Sequence, residues 1–272
     1  LMRKNLGLKM IRRANSIGHH YFIANLTSKD IASSVALAVN EKHGIWYNPM
    51  TGKYHEATIG DKGIQLNLKS GESRILITSN KPVGEWKLGS KVKVGGKEAI
   101  AAADSKTIDL TENAWKLSFT EDAPKVGETF NLKGVKSWEG LSEKAKVMMG
   151  TGVYETTIKL SKDDAKKQWA IDLGDVRESA RVYINNKYVG CAWAVPYILN
   201  CKDALNKGKN TIRIEVTNLP ANRIAEMDRQ GVKWRKMKEI NVVDINYKKT
   251  TYEKWTPMPS GLNSTVKLVE IK

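Results

Sequence analysis

Residues 179–193 read SARVYINNKYVGCAW. Val182 and Ile184 recur at every second position before Asn185-Asn186, and Tyr188 follows it, so one face of the segment is apolar and the other polar. Asparagine tolerates the left-handed backbone that a two-residue hairpin turn requires, so this stretch reads as one β-hairpin. Its neighbours carry the same alternation. YETTIKL (154–160), QWAIDLG (168–174), YILNC (197–201) and NTIRIEV (210–216), with Ile212, Ile214 and Val216 on one side, extend the hairpin into a sheet. Lys207-Gly208-Lys209-Asn210 predicts a second turn.

Moving outward, Trp115-Lys116-Leu117-Ser118-Phe119 opens the same all-β unit, and KSWEGLSEKAKVMMG (136–150) reads as a partly helical connection. SKDDA (161–165) supplies a cap and turn before the strand at 168. Beyond Asn218 the pattern breaks into an excursion that runs to Trp255, and STVKLVEI (264–271) closes the sheet. Long connections of this kind in a domain are functional or mobile. Towards the other end, MIRR (10–13), YFIANL (21–26), SVALAVN (34–40) with Val35, Leu37 and Val39 to one side, and GIQLNLKSGESRILITS (63–79) around Ser70-Gly71 predict a separate small sandwich. Asn80–Asp109 is rich in Lys, Gly, Ala and Ser and too poor in large apolar side chains for a core. The expected organisation is therefore all-β, with a sandwich over 1–80, a linker or insertion over 81–109 and a second sandwich over 110–272.

The 272 residues, 41% hydrophobic and 27% charged, have the composition of a globular protein. No apolar run approaches the roughly 20 residues of a membrane helix, which argues against a membrane partner. No secretory signal is visible, and a chain that passes from Leu1 directly into strand-like sequence reads as a piece of something longer. The net charge of +16 suits polyanions, but lysine is spread through every segment. It reads mainly as a solvated surface, and nucleic acid is disfavoured, since phosphate recognition favours arginine's planar fork. KWRKMK (233–238) and Lys248-Lys249 form the local basic cluster. Cys191 and Cys201 read as buried free thiols.

The order GTGVYETTIKL, WAIDLGDVRESARVYINNKYVG, AWAVPYILN and LNKGKNTIRIEVTN closely resembles the galactose-binding-like jelly roll that accompanies barrel glycosidases of family 2 and its relatives. NLPANRI (218–224) and WTPMPSGLNSTVKLVEI (255–271) look like the closing segments of glycoside hydrolase family 106, the α-L-rhamnosidase type. YFIANLTSKDI, GIWYNPMTGKY and LKSGESRILI look like the sandwich that precedes the jelly roll there, while 81–109 matches poorly. Asn186 stands where the family usually has glycine, and Asn263-Ser264 where glycine-proline is common. The resemblance implies a non-catalytic, carbohydrate-binding or barrel-supporting C-terminal region of a polysaccharide-degrading hydrolase. Its partners would be carbohydrate and an upstream catalytic barrel, and its location periplasmic or secreted. A purely structural module, or a polyanion binder centred on the basic cluster, is the alternative.

No catalytic residue carries over, because the family's catalytic carboxylates belong to the barrel and nothing here alternates strand and helix over the ~250 residues a barrel takes. Glu226 with Asp228, Glu139 with Glu143, and Asp163 with Asp164 are acid pairs by proximity alone and read as surface charge. His19, His20, His43 and His55 form no metal pattern. No cofactor is expected beyond a structural calcium, with Asp172 and Asp175 as possible donors. Sugar recognition needs an aromatic face with amides or arginine beside it. Trp193, Tyr197, Asn222, Arg223, Trp234 and Trp255 are the candidates, whereas Trp115, Trp138 and Trp169 read as core.

Overall fold

Asn185 and Asn186 stand at φ +51° and +64°, the left-handed pair that lets two strands reverse in two residues. Asparagine thus supplies the left-handed geometry at 186. A computed structural model describes residues 2–86, 105–236, 246 and 250–271. The chain divides into two units, Leu1–Ile100 and Ala101–Lys272.

The first unit begins with a five-residue helix, α1 (Met2–Leu6), and continues through β1 (Lys9–Ala14), β2 (Gly18–Ala24), β3 (Ile31–Val35), β4 (His43–Asn48), β5 (Lys53–Glu56), β6 (Ile59–Gly60), β7 (Gly63–Leu68) and β8 (Ser73–Ser79). Five strands pair in the order β1-β2-β8-β4-β5 and three in the order β3-β7-β6. The strands on either side of Ser70-Gly71 therefore lie in different sheets. Tyr21, Ile23, Trp46 and Leu76 from one sheet meet Val35, Ile64, Leu66 and Leu68 from the other, which is the buried interior of a sandwich. β3 ends at Val35, yet Leu37 and Val39 still turn to the core side. His19 and His20 point to opposite sides, His19 to Glu41 (2.7 Å) and His20 towards Asn15 (3.4 Å).

The second unit comprises β9 (Thr107–Asp109), β10 (Ala114–Ala123), β11 (Phe130–Lys133), α2 (Glu143–Val147), β12 (Met149–Leu160), β13 (Trp169–Asp172), β14 (Val176–Arg177), β15 (Ser179–Ile184), β16 (Lys187–Ala192), β17 (Ile198–Asn200), β18 (Gly208–Thr217), α3 (Ala221–Arg229), β19 (Gly261–Leu262) and β20 (Lys267–Glu270). Six strands run β11-β10-β12-β18-β15-β16 and four run β17-β13-β20-β9, with β14 and β19 paired apart. β9 falls inside the stretch read as linker, and it pairs with β20. β20 does not sit at an edge. It lies between β13 and β9, so the closing run is interior to its sheet. The turn expected over 207–210 is shorter, because β18 already starts at Gly208 (φ +85°).

Trp115, Trp138 and Trp169 are buried in the core between the sheets. Replacing such an aromatic with alanine costs about 3–5 kcal/mol. The hydroxyl of Tyr154 accepts from Trp138 Nε1 (2.7 Å) and Leu262 N (3.2 Å) and donates to the carbonyl of Lys136 (3.3 Å). A Cβ at Gly261 (φ +89°) would lie 2.3 Å from both Trp138 Nε1 and that hydroxyl, so the β19 backbone approaches this network only because residue 261 is glycine. Ser264 Oγ accepts from Asp175 N (2.6 Å), tying the loop before β20 to the segment before β14.

One cysteine expectation is corrected. Cys201 is buried, but Cys191 is exposed, because it lies on the edge strand β16 with its side chain on the solvent face. Both are free thiols.

Candidate functional site

Pro220 starts the excursion as a helix, since a ring that fixes φ and lacks an N–H fits the beginning of a helix. The resulting α3 carries Asn222, Arg223, Glu226, Asp228 and Arg229, and three of these tie down the segment from 250 to 258. Asn222, only 6% exposed, donates to the carbonyl of Met258 and accepts from its N–H, both at 2.8 Å. Asp228 accepts from Trp234 Nε1 (2.7 Å) and Tyr252 N (2.8 Å). Arg229 donates to the carbonyls of Glu253 (3.0 Å) and Trp255 (3.4 Å).

These ties gather aromatic rings that the sequence keeps apart. Tyr252 and Trp255 have ring centroids 4.5 Å apart, and Trp234 lies 6.4 Å from Tyr252. The Arg235 guanidinium stands 5.1 Å from the Trp234 ring and 5.3 Å from that of Tyr252, within cation–π range. Trp255 is 48% exposed and Trp234 and Tyr252 are half-buried, so Trp255 gives the cluster its open face. Tyr252 was not among the sequence candidates. Its signal is tertiary, a backbone N–H bonded to an aspartate 24 residues earlier.

Beside this cluster an open cleft of about 630 Å³ lies between α2 and α3, lined by Glu143, Lys144, Lys146, Arg223, Glu226 and Arg229, with Pro124, Val147 and Pro257 as apolar floor. It adjoins the aromatic cluster through Arg229, which lines the cleft while holding the Trp255 carbonyl.

The six candidates therefore separate by role. Trp234 and Trp255 come together, Arg223 faces the cleft, and Asn222 is a buried backbone anchor rather than a surface group. Trp193 is 63% exposed just beyond β16. Tyr197 packs partly against the core, its carbonyl accepting from Leu173 N (2.9 Å). Burial pushes the Tyr197 phenol above its ordinary range, assisted by the negative charges of Glu178 and Asp175.

The acid pairs are each engaged. Glu226 meets Arg229 (2.9 Å) and Gln230 (2.7 Å), Glu139 accepts from Ser260 N (3.2 Å), and Glu143 contacts Lys146 (3.5 Å). Asp164 binds Lys106 (2.7 Å), and Asp163 meets Lys166 (3.5 Å). At the suggested calcium donors, Asp172 accepts from Gly174 N (3.0 Å) and Asp175 pairs with Arg177 (2.7 Å). Among the described residues no group of three His, Cys, Asp or Glu gathers as a metal site. Lys233–Lys236 of the basic cluster is described, whereas Met237, Lys238, Lys248 and Lys249 lie outside the described residues.

Residues 141–259 match a family profile described as "Glycosyl hydrolase 2 galactose-binding domain-like", a span that includes α3, the aromatic cluster and most of the cleft. A curated protein of Formosa agariphila, "Putative beta-glucuronidase", is 26% identical over 234 residues, 76% of this chain and 20% of that protein. The solved structure of a rhamnosidase from Novosphingobium sp. PP1Y superposes with a TM-score of 0.67 at 21% identity, covering 97% of this chain and 24% of the rhamnosidase. A β-D-glucuronidase of Dictyoglomus thermophilum aligns over 64% of this chain and 29% of its own, with a TM-score of 0.43 at 15% identity. The rhamnosidase likeness shows the fold of β-sandwich domains. The chain spans about a fifth of the curated relative and about a quarter of the rhamnosidase.

Proposed function

We propose that this chain is the non-catalytic, carbohydrate-binding C-terminal region of a larger glycoside hydrolase of the family 106, α-L-rhamnosidase-like type, secreted or periplasmic and acting on plant or other complex polysaccharide. The observation that carries the reading is the cluster of half-buried Trp234 and Tyr252 with exposed Trp255 beside an open polar cleft, within the span that matches a galactose-binding-like profile. An indole or phenol face covers the apolar side of a pyranose, while the charged groups of α2 and α3 meet its hydroxyls. The described carboxylate pairs bond cations or backbone, which supports placing hydrolysis in an upstream barrel.

Calorimetric titration of the chain with neutral rhamnose-containing and acidic pectic oligosaccharides, at low and high salt, tests this. Salt-insensitive binding that is lost in Trp255→Ala supports the reading, and silence across the panel at millimolar sugar overturns it.

A supporting role towards the barrel is favoured by a separate observation. Leu219 and Met258 are exposed and line a small hollow with Ala221 and Pro259, bordered by Glu178, Asn222 and Ser260. Apolar side chains grouped in this way suit a packed domain interface.

A further inference from the structure

The cleft between α2 and α3 holds four cationic side chains against two carboxylates. Two of the cations are committed: Lys146 to Glu143 (3.5 Å), and Arg229 to Glu226 (2.9 Å) and the 253 and 255 carbonyls. Arg223 and Lys144 make no hydrogen bond or ion pair among the described residues. They leave the cleft with a local excess of positive charge at two side chains from opposite helices. Its volume of about 630 Å³ falls within the ~300–1,000 Å³ typical of small-ligand sites.

We propose that this cleft binds a saccharide bearing an oxyanion among free hydroxyls, a uronate carboxylate or a sulfate ester, with Arg223 and Lys144 holding the anion and Glu143 and Glu226 accepting ring hydroxyls. The inference rests on the carbohydrate-binding reading and narrows it to an acidic sugar. Arginine's planar fork meets a carboxylate with two parallel hydrogen bonds, and lysine adds a point charge from the other wall. The two carboxylates decide against a densely charged polyphosphate. They repel a polyphosphate, which has no hydroxyl donors to offer them, whereas sugar hydroxyls donate to them. The anion-holding groups adjoin the aromatic cluster through Arg229, although none of Trp234, Tyr252 and Trp255 lines the cleft itself.

The test is calorimetric titration of the full chain with a trigalacturonate, its full methyl ester, a sulfated disaccharide and a neutral rhamnose-containing oligosaccharide. The same set is run on Arg223→Ala/Lys144→Ala and on Trp255→Ala, with circular dichroism confirming that each variant is folded. The expected result is that the trigalacturonate or the sulfated disaccharide binds at least about tenfold more tightly than the ester, and that the Arg223→Ala/Lys144→Ala pair removes this preference. Which of the two acidic ligands binds identifies the source of the oxyanion. Equal affinity for acid and ester, or acid binding unchanged in the double variant, overturns the proposal. Neutral-sugar binding lost in Trp255→Ala with no preference for acid defeats this inference and leaves the broader reading standing. Acid binding that survives Trp255→Ala sustains the cleft and removes the aromatic platform.

Discussion

Asn222→Ala separates a sugar ligand from a structural anchor at a position where sequence reading favours the ligand. The Asn222 amide holds the Met258 backbone through a donor and an acceptor, both at 2.8 Å. Each hydrogen bond contributes about 0.5–1.5 kcal/mol, and a buried group left unpaired costs more, so truncation to alanine destabilises by about 1–3 kcal/mol. The lower part of that range applies if water reaches the Met258 groups, since the Met258 side chain is exposed. For a unit of this size each kcal/mol lowers the Tm by about 2–4 °C, giving a fall of about 2–12 °C. Tryptophan fluorescence follows the melt, because most tryptophans belong to the second unit. Glycan affinity of the folded variant should stay within about twofold of the parent at temperatures well below the melt. An unchanged Tm combined with lost glycan affinity would refute the reasoning and return Asn222 to the sugar site.

Tyr154→Phe strips the acceptor from Trp138 Nε1 and Leu262 N, two donors inside the core, and should cost roughly 2–5 kcal/mol in urea denaturation. In the native protein a disulfide thiol reagent should modify one of the two cysteines, Cys191, and reach Cys201 only in denaturant. Cys201 is buried, and burial pushes its thiol up to about 12. Burial also raises the Tyr154 phenol, so for both groups the unfolded chain loses its proton first. Their contribution is fully present below the ordinary values of 9.0 for the thiol and 10.0 for the phenol, and it fades as pH climbs above them. Denaturant midpoints measured from neutral to strongly alkaline pH should fall in that direction, and less steeply in Tyr154→Phe.

The hairpin around Asn185-Asn186, the three core tryptophans and the sandwich over the first 80 residues were legible because strand alternation and turn chemistry are local. Register and neighbour choice were not. Nothing in STVKLVEI indicates that its strand inserts between β13 and β9 rather than capping an edge, because both partners are chosen by tertiary packing. Cys191 read as buried by residue type, whereas the edge position of β16 decides its exposure. Within the candidate site, residue type singled out Trp234 and Trp255, which the fold brings to one cluster. It could not show that Asn222 is buried against the Met258 backbone, because an amide suits both a hydroxyl and a backbone. Nor could it place Tyr252, Lys144 and Glu143 beside α3, since those relations span long separations that no periodicity reports.

The interior place of β20 also orders events in time. β13 and β9 each keep an unpaired edge until residues 267–270 are available to hydrogen-bond both of them. Contacts between segments this far apart in the chain form late, and unpaired edges invite association with other chains. A growing polypeptide therefore cannot complete this sheet until its last strand has left the ribosome. Ribosome stalling just short of that strand should yield a product that chaperones retain, even though the rest of the core has already been made.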